Sequence, residues 1–552
     1  AEQMYKAWQK LKRNVRSLHE RVFFRPLLAA VSTLSRDEVV LTESAAQDRL
    51  AALGYRDPRG AMRHIQALTS GVSRRAEIQR HLMPVLLGWF ADGVDADAGL
   101  LGFRIVSESL GTTSWYLRML RDSPAAAERL CHILSSSRYI TDLLEDAPTS
   151  ITWLDKVADL QPLGAAALKA EIASLLSRHD DSAEAMRAVR YLRRREILRI
   201  AMGDALNLLG VQQVCTGLAT VDECTIGAAL ALAEREEITA KEREEAAGIR
   251  EIPEEEPKNP LLTEIAVIAM GRLGGAENGF GSDADVMFVH CPVEGAGEEE
   301  AQSQANRIVN RLMQLIKQPV RPAIRAERPL EVDADLRPEG KQGALVRSLD
   351  SYRAYYERWA ETWEFQALLR ARPIAGSEEL GRAFIELIDP YRYPREFTAE
   401  QAQQVRRMKA RVEHERMPHG ADRTRQLKLG RGGLSDVEWL VQLTQLQHAH
   451  EVQGLRTTST LKALDAAVEA NLVAAEDAEV LRDAWLLATK IRGGNVLRGV
   501  RQSDLLPTLR DALEAVARWS GYTPGNARQL EEDYLRVTRN ARKVYERLFF
   551  EG

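Results

Sequence analysis

Two apolar runs, Ile265 to Met270 and Val286 to Val289, enclose the segment Gly271-Arg-Leu-Gly-Gly-Ala-Glu-Asn-Gly-Phe-Gly-Ser-Asp-Ala-Asp285. The first run reads as a buried strand, and the second as the body of another. Between them the chain must turn through a glycine-rich loop and re-enter the sheet on two aspartates at i and i+2. Side chains two apart on a strand share a face, with Cα atoms about 6.5–7 Å apart. Asp283 and Asp285 can therefore converge on one hard cation. Two carboxylates beside exposed backbone N–H groups suit Mg²⁺ carrying a nucleoside triphosphate.

A second acidic strand strengthens this reading. In Pro329-Leu-Glu-Val-Asp-Ala-Asp335, Leu330, Val332 and Ala334 fall on one face and Glu331, Asp333 and Asp335 on the other. If this strand lies beside the first, Asp333 or Asp335 reaches the same metals. Two-metal phosphoryl chemistry uses such a carboxylate trio: one ion holds the triphosphate and the other lowers the pKa of the attacking hydroxyl. A carboxylate can also serve as general base. An isolated Asp-x-Asp also occurs on solvated strand edges. The apolar flanks, the glycines and the second acidic strand favour the metal site.

With 552 residues, the chain exceeds a single core, and about two to four domains are expected. It has no unbroken apolar run of about 18 residues, so no membrane span is expected. The first residues carry no apolar stretch of signal-peptide type. Cys131, Cys215, Cys224 and Cys291 are scattered, which reads as a reduced cytoplasmic protein with incidental thiols. His448 and His450, at i and i+2, do not make a zinc pattern. The net charge is −5, and without a basic domain nucleic acid is not an expected partner.

An internal repeat bears on organisation. Lys12-Arg-Asn-Val-Arg-Ser-Leu-His-Glu-Arg-Val-Phe-Phe24 recurs as Thr538-Arg-Asn-Ala-Arg-Lys-Val-Tyr-Glu-Arg-Leu-Phe-Phe550, with 7 of 13 positions identical. Both copies have helical periodicity. The simplest account is a duplicated protein cut just before the last helix of its first half; two similar amphipathic helix ends are the alternative. Residues 27 to 233 read as nearly all helix, with Ser44 and Asp57 as N-caps and a helix starting at Asp122-Ser-Pro124. Glu234 to Pro260 reads as a mobile acidic linker. Helices are expected over 301–317, over 350–372, and from about Pro394 onward, interrupted at 430–433.

The spacing of Met270-Gly271, Asp283-Ala-Asp285 and the later acid resembles the DNA-polymerase-β-type nucleotidyltransferase superfamily. Arg272 departs from the small residue usual there; Gly274, Gly275, Gly281 and Ser282 are nearby candidates for phosphate contact. The likeness goes further. Ala269 to Glu277, Gly281 to Asp285, Val332-Asp-Ala-Asp-Leu-Arg-Pro-Glu-Gly340, Gly343 to Arg347, Thr362-Trp-Glu-Phe-Gln-Ala-Leu-Leu-Arg-Ala-Arg372 and Lys428-Leu-Gly-Arg-Gly-Gly-Leu-Ser-Asp-Val-Glu438 together resemble the bacterial glutamine synthetase adenylyltransferases.

That resemblance implies a mostly α chain with an embedded α/β polymerase-β-like nucleotidyltransferase domain, a small mixed sheet, followed by a helical bundle. The expected division is a tail helix of an absent upstream unit at 1–28, a helical regulatory region at 29–190, and helices with an acidic linker at 191–260. A catalytic domain at 261–393 and a C-terminal bundle at 394–552 complete it. The resemblance places the third acid at Asp333 and leaves Asp335 a spectator. It implies Mg²⁺ or Mn²⁺, ATP as substrate and glutamine synthetase as protein substrate. It also implies a PII-type signal protein and glutamine as regulators, with the region 30–190 a candidate for their sites by position only.

Gly271, Arg272, Gly274, Gly275, Gly281, Ser282, Arg337 and Arg347 are the nucleotide-binding candidates. Arg187, Arg190, Arg193, Arg194, Arg195 and Arg199 crowd one helix, read as a solvated face; contact with phosphates or the acidic linker is the alternative. Asp436 reads as an N-cap or, with Glu438, as a residue near the active site. Tyr355, Tyr356 and Trp363, expected on one helix with Glu364 and Gln366, read as core rather than as a base-stacking platform. Three other functions share part of this pattern. A uridylyltransferase acting on a PII-type protein lacks the Leu-Arg-Pro and Trp-Glu-x-Gln blocks. An AMP-removing phosphorolase shares the motif. The intact trio argues against a non-catalytic nucleotide sensor.

Overall fold

The computed structural model describes residues 39–551, apart from 112, 247–260, 320, 322, 324–327 and 500–502. The N-terminal copy of the repeat and the expected tail helix at 1–28 lie outside the described residues. Helices dominate, and a five-stranded sheet is embedded among them. The strands are β1 (Thr263–Ala269), β2 (Ala284–Pro292), β3 (Val332–Asp333), β4 (Val346–Ser348) and β5 (Arg372–Gly376). Their order is β3-β2-β1-β5, with β4 also on β2. β1 runs antiparallel to both β2 and β5, whereas β3 and β4 run parallel to β2 at different heights along it.

Both faces of the sheet are covered, which is why β1 and β2 read as apolar runs. Ile265, Val267 and Ala269 of β1 join Val286 and Phe288 of β2 in a core shared with the N-terminal helices. Ala266, Ile268, Met287 and Val289 face the other way, onto Tyr352, Phe384 and Ile388. The two tyrosines read as core do lie there: Tyr356 is buried and Tyr355 packs against that cluster. Trp363 does not; it is exposed, its indole N–H donating to Glu361 at 2.9 Å. A third core holds the C-terminal helices together.

The helices that matter most for the site are α1 (Ser182–Ala205), α2 (Val211–Ala246), α3 (Glu298–Lys317), α4 (Ala399–Glu415), α5 (Leu434–His448), α6 (Ala475–Arg498) and α7 (Ala527–Glu546). Asp57 caps Pro58–Thr69 by accepting the Gly60 N–H, and Ser123 precedes Pro124 at the next predicted start. Ser44 is not a cap; it lies inside Val39–Ala52.

Three further expectations are corrected. The acidic linker does not begin at Glu234, because α2 runs on to Ala246. Its carboxylates have partners: Glu236 pairs with Arg311 at 2.5 Å and Glu237 with Arg307 at 2.8 Å, both on α3. The single helix expected over 350–372 is two, Leu349–Arg358 and Thr362–Leu368, followed by β5. Glu361 and Glu364 form a reciprocal capping box that starts the second, so Trp363, Glu364 and Gln366 sit on a different helix from Tyr355 and Tyr356. Lastly, the arginine-rich face of α1 is not solvated. Arg190, Arg194 and Arg199 are buried with Glu196. Arg194 pairs with Asp146 at 2.8 Å, and Arg199 pairs with Glu196 at 2.8 Å and lies over the Trp153 ring.

Among the described residues one helical stretch, Val211–Arg243, is long and apolar enough to cross a membrane, and 72% of its most apolar window is buried inside the protein. The break in the C-terminal helices is wider than the glycines alone, spanning the whole interval between α4 and α5. There Gly432, at φ +71°, packs where a Cβ would overlap the Thr538 carbonyl on α7.

Asp436 is not the N-cap of α5, a place taken by Gly433. Fully buried, it accepts from the Gly432 N–H at 2.7 Å, Lys409 Nζ at 2.8 Å and Arg542 Nη1 at 2.9 Å. It thus joins α4, α5 and α7. Removing one partner of a buried pair leaves the other charge uncompensated. Asp436→Ala is expected to lower unfolding stability by about 3 kcal/mol, the low end for such a loss, because Lys409 keeps Glu413 at 2.6 Å. Denaturant unfolding checks this, with Glu413→Gln expected to have the smaller effect.

Candidate active site

Asp283 immediately precedes β2 and Asp285 is its second residue. β3 pairs with β2 so that Ala284 is opposite Val332 and Asp285 opposite Asp333. The Ala284 N–H donates to the Glu331 carbonyl at 2.8 Å. One carboxylate oxygen from each of Asp283, Asp285 and Asp333 lies within 4.8 Å of the others, Asp283 exposed and the other two half-buried. Asp333 also accepts the Asp335 N–H at 2.7 Å. Asp335 itself turns to Lys341 at 3.2 Å and Arg337 at 3.7 Å.

Burial, reinforced by the neighbouring Asp283 and Asp333 charges, pushes the Asp285 carboxyl up to about 7; Lys428 and Arg416 pull it the other way. Three convergent hard oxygens whose negative charges disfavour one another fit a divalent cation such as Mg²⁺ or Mn²⁺. Asp283, Asp285 and Asp333 are the residues that would hold it.

The glycine loop approaches the trio closely. Gly271, at φ +52°, sits where a Cβ would overlap Asp285 Oδ2, and the Met270 N–H donates to the Asp285 carbonyl at 2.8 Å. Gly281, at φ +73°, and Ser282, whose Oγ accepts the Gly279 N–H at 3.0 Å, shape the turn into Asp283. Gly274 and Gly275 face elsewhere: a Cβ on either would overlap Arg370. Arg370 donates to Glu277 at 2.9 Å, and Glu277 accepts the Thr460 N–H at 2.6 Å. This latches the loop to the C-terminal helices. Arg272 donates through Nε to the Glu277 carbonyl at 2.9 Å, while its buried Nη2 has no hydrogen-bond partner.

Arg337 lines a 560 Å³ cleft with Asp283 and Asp333, and Lys317 and Lys341 line it too. Arg337 also clamps its own loop through the Ala334 and Gly343 carbonyls, at 2.8 and 3.1 Å. Arg347 is drawn away, to Glu339 and the Tyr355 ring. Sequence reasoning missed Lys317, Lys341, Lys428 and Arg416. Only Lys428 carried a signal, as the first residue of the glycine-rich block at 428–438.

The sequence profile of glutamate-ammonia ligase adenylyltransferase matches residues 127–387, which contain the whole sheet and the trio. A bifunctional glutamine synthetase adenylyltransferase/adenylyl-removing enzyme of Streptomyces avermitilis is 48% identical over 98% of this chain and 54% of its own length. Identically named proteins of Leifsonia xyli subsp. xyli and Mycobacterium tuberculosis are 48% and 44% identical, over 100% and 98% of this chain and 52% and 53% of theirs.

The chain belongs to the glutamate-ammonia ligase adenylyltransferase family.

It spans about half the length of the curated relatives it matches. A second profile, that of PII-uridylyltransferase, matches residues 406–549, which lie beyond the sheet. The carboxylate trio of this family member therefore lies within the adenylyltransferase match alone.

The raised Asp285 carboxyl sets the sign of a pH effect. A carboxylate whose folded pKa lies above its unfolded value of about 3.9 destabilises the fold once ionised, so this stability is lost as pH rises through about 7. A cation binds the ionised form and offsets the loss. Mg²⁺ is expected to raise the Tm more at pH 8 than at pH 5. Equal gains in thermal melts at the two pH values would contradict a cation on this trio.

Proposed function

We propose that this chain transfers AMP from ATP to a tyrosine hydroxyl of glutamine synthetase, releasing pyrophosphate. The observation that carries the reading is the carboxylate trio in register across β2 and β3, inside the stretch matched by the adenylyltransferase profile. The relatives' shared name is that of a glutamine synthetase adenylyltransferase. Divalent ions at the trio would neutralise the triphosphate and ease deprotonation of the attacking hydroxyl.

Within that scheme Asp283 and Asp285 anchor the reacting centre. Asp333, beside them, takes the tyrosine proton as the oxygen–phosphorus bond forms and the bond to pyrophosphate breaks. Lys317, Arg337 and Lys341 supply positive charge along the cleft for the triphosphate. The Gly271 and Gly281–Ser282 backbone brings N–H groups close to it. Arg347, held by Glu339, has the weaker case.

Regulation by a PII-type protein and by glutamine belongs to the same proposal. The PII-uridylyltransferase match over 406–549 supports kinship with PII signalling. A cytoplasmic location goes with it.

A second reading has a specific observation behind it: the relatives' shared name includes adenylyl removal, and this chain spans about half their length. Intact-mass analysis of glutamine synthetase separates the readings. Incubation with this chain and ATP should add one AMP per modified tyrosine. Incubation of the adenylylated form with phosphate should leave its mass unchanged, and a loss of AMP there would favour removal. Asp285→Asn should abolish transfer. Asp333→Asn should lose at least about 10²-fold in kcat, and Asp335→Asn much less. A reversed ranking of the last two would move the base to Asp335.

A further inference from the structure

The two segments that carry the trio are joined directly by little. β3 is two residues long and its pairing with β2 covers only Ala284–Asp285. Behind that pairing lies a polar node contributed by helices outside the sheet. Arg193 on α1 donates from Nε to Asp222 Oδ1 on α2 at 2.9 Å. The other Asp222 oxygen accepts from Asn278 Nδ2 at 2.9 Å. Arg193 Nη1 donates to the Arg328 carbonyl at 2.9 Å. Asn278 lies five residues before Asp283, and Arg328 five residues before Asp333. One guanidinium therefore holds both approaches to the trio, one through Asp222 and the other through the backbone.

The node is buried: the side chains of Arg193 and Asp222 are 11% and 7% exposed, and Asn278 is fully enclosed. A buried ion pair adds little net stability over an apolar pair of similar volume, and fixing geometry is its better-attested use. Here there is geometry to fix. A cavity of 330 Å³ adjoins the node, lined by Tyr139, Arg193, Asp222, Ser282, Arg328 and Glu331. It gives both loops room to shift if they are released. Lysine could not replace Arg193, because a single ammonium cannot reproduce a rigid fork aimed in two directions.

We propose that Arg193 and Asp222 are positioning residues that set the spacing of Asp283, Asp285 and Asp333 from behind, and with it the affinity of the trio for a divalent cation. The proposal rests on reading the trio as a cation site. It places a determinant of that site on α1, among the N-terminal helices rather than in the sheet. The adjoining Arg194 pairs with Asp146, which ties α1 to the helix Arg138–Asp146.

The test is Mn²⁺ titration of the whole chain without nucleotide, read by electron paramagnetic resonance of the free ion. It compares wild type, Arg193→Lys, Asp222→Asn and Asn278→Ala, each with a thermal melt. The expected result is binding about 10-fold weaker in the variants, the lower end for loss of a supporting contact around a metal site. In adenylylation assays the Mn²⁺ concentration for half-maximal rate should rise by the same factor, and the rate should recover at saturating metal. Asn278→Ala removes only an amide from the loop and decides the matter if the Arg193 and Asp222 variants unfold. Wild type that binds no Mn²⁺ would overturn the cation-site reading itself. Wild type that binds, with variants of equal affinity, would overturn this inference alone. So would variants that lose maximal rate with no change in metal requirement.

Discussion

The parallel pairing of β3 with the first two residues of β2 is the contact on which the rest of the site depends. It sets Asp333 opposite Asp285 and, through strand alternation, brings Asp283 to the same place. A slip of one residue would carry Asp333 to the opposite face and present Val332 or Ala334 instead. Two residues of ladder cannot hold three mutually repelling carboxylates by themselves. The surroundings over-determine the arrangement. The Met270 N–H holds the Asp285 carbonyl, and Gly271 leaves room for its carboxylate. Arg193 and Asp222 brace both approaches, and Glu277, Arg370 and Thr460 tie the glycine loop to the C-terminal helices.

Buried charge is used in two different ways. On α1 and at Asp436 each charge meets an opposite charge or a hydrogen-bond partner, so burial is compensated within the protein. At the trio like charges face one another, and the Asp285 carboxyl is pushed up to about 7 by burial and by Asp283 and Asp333. Such crowding disfavours the empty ionised site and favours an incoming cation. The first arrangement makes a scaffold, and the second makes a place for ligand.

The parts of this design that rest on short-range rules were legible in the sequence. Strand alternation gave the face shared by Asp283 and Asp285, and the buried faces of β1 and β2 gave their apolar runs. Asp57 capped as its residue type requires. The errors came where distant partners override local signals. The acidic stretch after Glu234 reads as a linker alone, and is helical as far as Ala246 with Glu236 and Glu237 paired to Arg311 and Arg307. The arginines of α1 look solvated until Asp146 and Asp222, distant in sequence, are brought against them. β5 was hidden by Pro373 and Gly376, which an edge strand tolerates. Lys317 and Lys341 gave no local sign that the fold would set them beside the carboxylates.

The account stands on the trio being the seat of the metal and the nucleotide. Crystals of this chain grown with Mn²⁺ and a non-hydrolysable ATP analogue, with an anomalous difference map at the manganese edge, test that most directly. The account predicts manganese peaks coordinated by Asp283, Asp285 and Asp333, with the triphosphate running along the cleft that holds Lys317, Arg337 and Lys341. Manganese and analogue bound together at any other place in the molecule would contradict it.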